Sequence, residues 1–174
     1  SARPTLTNST RPASASCSSG RLHFKPGLSR NLSEVNRDFV EMLSALSAAQ
    51  AEYVVVGAHA LAAQGIVRAT GDLDIWVRPT SRNAERVWAA LEQFGAPLNN
   101  LTREDLASTD LVFQIGIAPY RIDILTSITA VDFSDAFDNH DTIRIDGLDV
   151  PVLSRADLIR NKTATGRPRD IADV

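Results

Sequence analysis

The chain has 174 residues, of which 44% are hydrophobic and 22% are charged, and its formal net charge is -3. This composition is typical of one globular domain with a sizeable core, and the slightly acidic balance argues against a general nucleic-acid binder. A single cysteine, Cys17, excludes an intrachain disulfide and a cysteine-based metal site. Because the sequence has neither a long apolar run nor a secretory signal, we expect a cytoplasmic protein that does not enter a membrane.

The N-terminal segment differs in composition from the rest of the chain. Residues 1 to about 30 are rich in Ser, Thr, Pro and Arg and show no hydrophobic period. Such a segment cannot bury enough apolar surface to offset the entropy lost on ordering it. We therefore predict a flexible low-complexity tail over residues 1–30 and one folded domain over residues 31–174.

Hydrophobic periodicity divides the domain into helices and short strands. Apolar residues three and four positions apart predict helices, whereas β-branched runs and polar–apolar alternation predict strands. In chain order, the predicted elements are a helix to Leu46 capped by Ser33 or Asn31, a strand at 53–57, a helix at 58–64, a strand at 72–77, a helix at 84–94, strands at 111–115, 121–126, 143–145 and 148–152, and a helix at 154–164. This order predicts an α+β (α/β-like) single domain, with a small mixed β-sheet flanked by helices.

Turn and capping residues indicate several of the boundaries. Gly65 suits the C-cap of the short second helix, because a glycine there adopts the left-handed conformation without strain. Asp146-Gly147 is a strong signal for a two-residue hairpin. Ser154 and Asp157 match the capping pattern that begins the last helix.

Two aspartates in the second predicted strand are the first candidates for chemistry. Asp72 and Asp74 are two positions apart, so both side chains leave the same face of the strand, about 7 Å apart. Their oxygens suit a hard cation such as Mg²⁺. Leu73, Ile75 and Val77 occupy the opposite face and fix the register of the strand through the core. Such a pair by itself is more often a solvated strand edge than a metal site.

Asp123 lies in an otherwise apolar predicted strand. An unpaired carboxylate is costly to bury, so Asp123 needs a partner or a cation. One interpretation is a salt bridge to Arg121, or an edge position that faces water. The other is a third carboxylate beside Asp72 and Asp74, which would complete a two-metal site for phosphoryl chemistry.

Gly57 and Ala58 follow the first predicted strand. A glycine at a strand-to-helix turn lets the backbone approach a phosphate, although a tight turn that needs a small residue explains it equally well. We expect His59 to be a satisfied histidine at the start of a helix. We expect Trp76 to pack beneath the N-terminal helix rather than to stack on a base.

Together these segments resemble the polymerase-β-type nucleotidyltransferase superfamily. Its pattern is an apolar strand ending in Gly-Ser or Gly-Gly, then a D-x-D strand and a third carboxylate on a later strand. The resemblance spans about Val35 to Val174, and the segments at 65–72 and 157–173 are similar to the bacterial minimal nucleotidyltransferases and the abortive-infection toxin (AbiEii-like) group. Ala58 is a departure, since the family has Ser or Gly there and alanine offers no hydroxyl to a phosphate.

The resemblance implies a nucleotidyltransferase fold and a metal-dependent reaction. A nucleoside monophosphate would pass from a nucleoside triphosphate to a hydroxyl of RNA, protein or a small molecule, with release of pyrophosphate. It implies two Mg²⁺ or Mn²⁺ ions on the catalytic residues Asp72, Asp74 and Asp123. A cognate toxin or antitoxin is the implied protein partner. The implied nucleotide-binding residues are Gly57, Ala58, Arg68, Thr70 and Lys162.

Other interpretations stay open. Ala58 favours a catalytically silent fold that binds a partner protein as an antitoxin or regulator, although such a fold has no need for three convergent carboxylates. Basic residues near the C-terminus favour an RNA-binding module, against the acidic overall charge. By spacing alone, Lys162 is an amphipathic lysine whose stem covers the helix and whose amine reaches water.

Overall fold

The computed structural model describes residues 36–65, 71–117 and 119–166 of the chain. Within these ranges it contains six helices and six strands. In chain order they are α1 (Arg37–Ala48), β1 (Tyr53–Val56), α2 (Gly57–Ala63), β2 (Asp72–Val77), α3 (Ser81–Phe94), α4 (Arg103–Ala107), β3 (Val112–Ile117), β4 (Tyr120–Leu125), α5 (Phe133–Asp138), β5 (Asp141–Ile145), β6 (Leu148–Val152) and α6 (Arg155–Thr165). The predicted tail over residues 1–30 and the segment after Gly166 lie outside the described residues.

The six strands form one mixed sheet in the order β3-β4-β2-β1-β6-β5. Strand β2 pairs in parallel with β4 and antiparallel with β1. Strand β1 also pairs in parallel with β6, and the two hairpins β3–β4 and β5–β6 supply the outer strands. The predicted fold class, a mixed sheet flanked by helices, is confirmed. No helix in the described ranges is both long and apolar enough to cross a bilayer.

The larger core lies between one face of the sheet and helices α1, α3 and α4. Leu73, Ile75 and Val77 of β2 are all buried in it, as their alternation with the aspartates predicts. Met42 and Leu46 of α1 are fully buried against the same face. This packing fixes β2 in register, because a shift by one residue would move its apolar side chains to the wrong face.

A smaller core covers part of the opposite face, and Trp76 is its largest member. Our prediction that Trp76 packs beneath the N-terminal helix is wrong. Its ring packs edge-to-face on Phe133 of α5, with 4.9 Å between the ring centroids. The reason is strand alternation: Trp76 shares a face with Asp74, whereas α1 covers the other face.

Helix α1 begins later than the sequence predicts. Asn36 is its N-cap, and the side-chain oxygen of Asn36 accepts the backbone N–H of Asp38 at 3.0 Å. Neither Ser33 nor Asn31 is the cap, because the helix begins at Arg37. Asparagine ranks with the best N-cap residues, so local chemistry explains the choice.

Two further helix ends differ from the prediction. The C-cap of α2 is Gln64, and Gly65 follows it with φ +92°. Gly65, the predicted cap, therefore stands one position beyond the observed cap, where helices commonly adopt the left-handed conformation. Helix α3 begins one turn before the predicted start at residue 84, because the Thr80 side chain accepts the backbone N–H of Asn83.

Two short helices were not predicted. Helix α4 begins with a capping box. The Thr102 hydroxyl accepts the backbone N–H of Asp105 at 3.1 Å, and the Asp105 carboxylate accepts the backbone N–H of Thr102 at 2.9 Å. Helix α5 begins at an Asp132 cap that accepts the N–H of Ser134 at 2.8 Å. Five or six residues are too few for a helical hydrophobic period, so only these caps could have signalled them.

The predicted hairpin and last helix are confirmed. Asp146 and Gly147 both have positive φ, 49° and 84°, as the tight turn between β5 and β6 requires. Ser154 caps α6, and its hydroxyl accepts the N–H of Asp157 at 3.2 Å. Gly166 ends α6 in the left-handed conformation.

Asn83 connects α3 to the ends of two central strands, and its loss should destabilise the fold. It is 1% exposed. It accepts the N–H of Glu52 at 2.7 Å and donates to the carbonyls of Glu52 and Arg78 at 2.9 and 3.1 Å. Asn83→Ala would leave the Glu52 N–H without a partner among the described residues, whereas the carbonyls of Glu52 and Arg78 still accept the N–H groups of Arg78 and Thr80. We therefore expect the free energy of unfolding to fall by about 1–3 kcal/mol in urea titrations. The exposed control Asn100→Ala should change it by less than about 0.5 kcal/mol, and equal effects would contradict the prediction.

Candidate active site

The parallel pairing of β2 with β4 builds the candidate site. In this register Asp72 lies opposite Arg121, and Asp74 lies opposite Asp123. Because alternate residues share a face, all four side chains leave the same side of the sheet. The structure therefore brings together the three aspartates that the sequence selects, and adds an arginine to them.

Asp123 is held by an ion pair inside the sheet. Only 6% of the residue is exposed, and β4 lies between β3 and β2, so the edge interpretation is wrong. The salt-bridge interpretation is confirmed: Arg121 Nε lies 2.8 Å from Asp123 Oδ1, and Arg121 Nη2 lies 3.1 Å from Oδ2. Gln114 of β3 also points its amide at Asp123 Oδ2, at 3.5 Å.

Arg121 links the two carboxylate-bearing strands. Its Nη2 atom lies 3.2 Å from Asp72 Oδ2, in addition to its two contacts with Asp123. The side chains of Arg121 and Asp72 are 33% and 39% exposed, whereas that of Asp123 is 9% exposed. The guanidinium therefore stands between a solvent-facing carboxylate and a buried one.

Asp74 is the carboxylate with the most perturbed pKa. Burial, together with the negative charges of Asp123 and Asp72, raises its pKa to about 6. The positive charges of Arg121 and Lys162 act in the opposite direction and do not outweigh the burial. A carboxyl group with this pKa takes up a proton or a cation near neutral pH more readily than an ordinary aspartate does.

Gly57 touches Asp74 at the turn between β1 and α2. Its φ is +65°, and a Cβ atom built on it would lie 2.1 Å from Asp74 Oδ2. The tight-turn interpretation therefore applies, since no larger residue fits beside this carboxylate. The half-buried Ala58 follows it.

His59 connects α2 to the rest of the site. Its ring packs edge-to-face on Phe39 of α1 with 5.6 Å between centroids, and it hydrogen-bonds the backbone of Asp72. Burial lowers the pKa of His59. Its Nε2 atom is buried without a hydrogen-bond partner among the described residues, so the prediction of a satisfied histidine holds for one side of the ring only.

Lys162 approaches the site from α6. It is half-buried in the last turn of that helix, and its charge lowers the pKa of Asp74. Lys162 therefore lies close enough to act on the carboxylates, which the amphipathic interpretation does not require. Arg68 and Thr70, the other polar residues implied to bind nucleotide, lie outside the described residues.

The acid cluster suits a hard cation in its donor chemistry. Carboxylate oxygens are preferred ligands of Mg²⁺ and Mn²⁺. In the part of the chain that the structure describes, however, no three or more His, Cys, Asp or Glu residues are grouped as a metal site. The guanidinium of Arg121 lies among these carboxylates and engages oxygens of both Asp72 and Asp123.

Sequence reasoning undervalued two residues of this site. Arg121 entered only as an alternative partner of Asp123, although its i, i+2 spacing puts both side chains on one face. Gln114 was missed, because a polar residue in a strand is unremarkable until the register places it opposite Asp123.

We expect Gly57→Ala to be strongly destabilising. The added methyl would displace the Asp74 carboxylate and would also strain the positive φ, so the free energy of unfolding should fall by about 3 kcal/mol or more. The control is Gly166→Ala, which has nearly the same φ, +61°, and no atom within 4 Å of the added carbon. Gly166→Ala should lower the free energy of unfolding by only about 1 kcal/mol. If both variants lose the same stability in chemical denaturation, the close contact with Asp74 is not the cause.

Asp74→Asn should stabilise the metal-free protein at neutral pH. A raised pKa means that the folded protein holds the proton more tightly than the unfolded chain, so stability falls as pH rises from the ordinary value of 3.8 through about 6. The amide removes this penalty and should add on the order of 1–2 kcal/mol above pH 7, with no gain below about pH 4. Thermal melts in a metal chelator across this range test the prediction. The control is Asp149→Asn, which changes an exposed carboxylate. A gain in stability of Asp74→Asn that does not depend on pH would contradict the prediction.

Similarity to known proteins agrees with the fold. The structure is similar to the crystal structure of a candidate nucleotidyltransferase from Thermotoga maritima, with a TM-score of 0.56 and 15% identity, over 78% of this chain and 87% of that chain. This likeness concerns the fold alone, and no curated protein matches the sequence. The model of a family described as nucleotidyltransferase of unknown function (DUF6036) matches residues 30–174. The chain therefore belongs to this nucleotidyltransferase family.

Proposed function

We propose that this chain is a metal-dependent nucleotidyltransferase. It would transfer a nucleoside monophosphate from a nucleoside triphosphate to an acceptor hydroxyl, with release of pyrophosphate. The observation that carries this proposal is the convergence of Asp72, Asp74 and Asp123 on one face of two neighbouring strands. Membership of the family supports the reaction class.

The three carboxylates would hold two Mg²⁺ or Mn²⁺ ions. Asp72 and Asp74 would bind the ion that accompanies the triphosphate, and Asp74 with Asp123 would bind the second. When bound, such ions neutralise phosphate charge and lower the pKa of an attacking hydroxyl. The raised pKa of Asp74 supports this assignment, because a carboxylate that is costly to ionise gains most from a cation.

Other residues of the chain would position the triphosphate. The amine of Lys162 approaches the carboxylates from α6 and would neutralise phosphate oxygens. Gly57 and Ala58 would contact a phosphate through backbone N–H groups, since Ala58 has no hydroxyl to offer. The roles of Arg68 and Thr70 rest on the sequence resemblance alone.

A narrower proposal concerns the biological setting. The segments at 65–72 and 157–173 resemble those of the AbiEii-like toxins, so we propose that the acceptor is RNA or protein and that the chain works in a toxin–antitoxin pair. Incubating the protein with labelled triphosphates, Mg²⁺ and cell lysate should label one of these two classes. Labelling of small molecules alone would contradict this narrower proposal and leave the reaction class standing.

A catalytically silent, partner-binding fold is the second candidate function. Ala58 lacks the hydroxyl that a serine offers at this position in the family that the sequence resembles. The ion pairs of Arg121 with Asp72 and Asp123 are also what an acid cluster with a purely structural role would show. In such a protein the aspartates would stabilise the sheet rather than bind ions.

Metal-dependent binding of triphosphates separates the two candidates. We expect the wild-type protein and the control Asp149→Asn to bind fluorescent triphosphates in Mg²⁺ and to release them when the metal is chelated. The double variant Asp72→Asn, Asp74→Asn should bind the triphosphates at least about tenfold more weakly, because the amides that replace the two carboxylates carry no charge to hold the ions. Melting curves verify that each variant is folded. Absence of metal-dependent binding in the wild type for all four bases would favour the silent fold.

A further inference from the structure

Arg121 occupies the oxygens that a divalent ion would need. Its three donor contacts with carboxylate oxygens measure 2.8, 3.1 and 3.2 Å, and they involve both oxygens of Asp123 and one of Asp72. Contacts of this length between ionised groups are the strong, charge-assisted kind. Two of the three carboxylates thus already have a cation.

The strand register makes this arrangement a built feature of the sheet. Arg121 is the cross-strand partner of Asp72 and stands two positions before Asp123 on the same face. A side chain at this position reaches one carboxylate across the strands and the other along its own strand. The planar guanidinium then fits Asp123 with two parallel bonds, which an ammonium group could not form.

A guanidinium and a divalent ion cannot share these oxygens at low cost. Asp123 is 9% exposed in its side chain, so its charge is poorly screened by water. A metal ion bound there would lie within a few ångströms of the positive guanidinium, and the two would repel each other strongly. Metal binding at Asp72 and Asp123 therefore requires Arg121 to give up these contacts.

We propose that Arg121 is a resident counter-cation, which holds the acid cluster together without metal and which a divalent ion must displace. This inference rests on the proposed function, since it concerns the same carboxylates. It makes Arg121 a positioning residue with two opposing effects. The arginine stabilises the metal-free fold, and it weakens the binding of metal.

The partly exposed side chain of Arg121 permits exchange of the guanidinium for a divalent ion. The Arg121 side chain is 33% exposed, so a displaced guanidinium has solvent on one side. The Asp72 side chain is exposed to a similar extent, at 39%. If the arginine moved and no metal took its place, Asp123 would lose its only ion-pair partner among the described residues. We therefore expect exchange of the arginine for a metal ion rather than simple opening of the ion pair.

Direct titration of Mn²⁺, without triphosphate, tests the inference. The proteins are the full chain as wild type, Arg121→Gln, Arg121→Lys and the control Arg144→Gln, whose side chain is 63% exposed on β5. Calorimetry should show that Arg121→Gln binds Mn²⁺ about 10- to 100-fold more tightly than wild type, because charge-assisted bonds no longer compete. Arg121→Lys keeps the positive charge but lacks the planar guanidinium, so its Mn²⁺ affinity should lie between those of wild type and Arg121→Gln. The Mn²⁺ affinity of Arg144→Gln should match that of wild type.

Thermal melts provide a readout independent of activity. In chelator, Arg121→Gln should melt several degrees below wild type, since Asp123 loses its partner. Saturating Mn²⁺ should raise the melting temperature of Arg121→Gln more than that of wild type and so reduce the difference between the two melting temperatures. If Arg121→Gln does not fold without metal, folding on addition of Mn²⁺ would support the inference, and Arg121→Lys supplies the affinity comparison.

The outcomes distinguish this inference from the proposed function. Equal or weaker Mn²⁺ binding by the Arg121 variants would overturn the counter-cation role, while metal binding by the wild type would leave the proposed function standing. Failure of every protein, the variants included, to bind Mn²⁺ would overturn both. Tighter binding in Arg121→Gln, with Arg144→Gln unchanged, supports both.

Discussion

The parallel pairing of β2 with β4 sets Asp72 opposite Arg121 and Asp74 opposite Asp123. This register concentrates three carboxylates on one face and places one arginine among them, which compensates only part of their charge. The larger core on the other face, with Ile75 and Ile124 fully buried, prevents the strands from sliding. The site is therefore held by packing that lies on the side of the sheet away from the chemistry.

The carboxylate face of the sheet divides into an apolar half and a polar half. Trp76 and Phe133 fill the apolar half, and helices α5 and α6 cover it. The polar half carries the aspartates, with Lys162 of α6 above them. The same helix therefore contributes Leu158 to the small core and Lys162 to the site. Functional groups on strands and helices of a packed scaffold are held more accurately than groups on loops.

The negative charge of this site is only partly compensated. Burial and two neighbouring carboxylates raise the pKa of Asp74, while Arg121 and Lys162 relieve only part of that cost. Such incomplete compensation is common where a protein binds a cation or a substrate, and structural ion pairs can also produce it. Family membership favours the first explanation here, and the contacts of Arg121 show how the same residues can serve the second.

The sequence by itself determined the chain order of the six strands and of four of the six described helices, the hairpin at Asp146-Gly147 and the shared face of Asp72 and Asp74, because these depend on local periodicity, caps and turns. It also selected Asp123, since a carboxylate in an apolar strand needs a partner. Only the tertiary structure decided which strands are neighbours, and hence that Asp123 meets Asp74, that Gln114 faces Asp123 and that Trp76 packs on α5. Strand order and register depend on contacts between residues far apart in the chain, and local sequence patterns do not encode them.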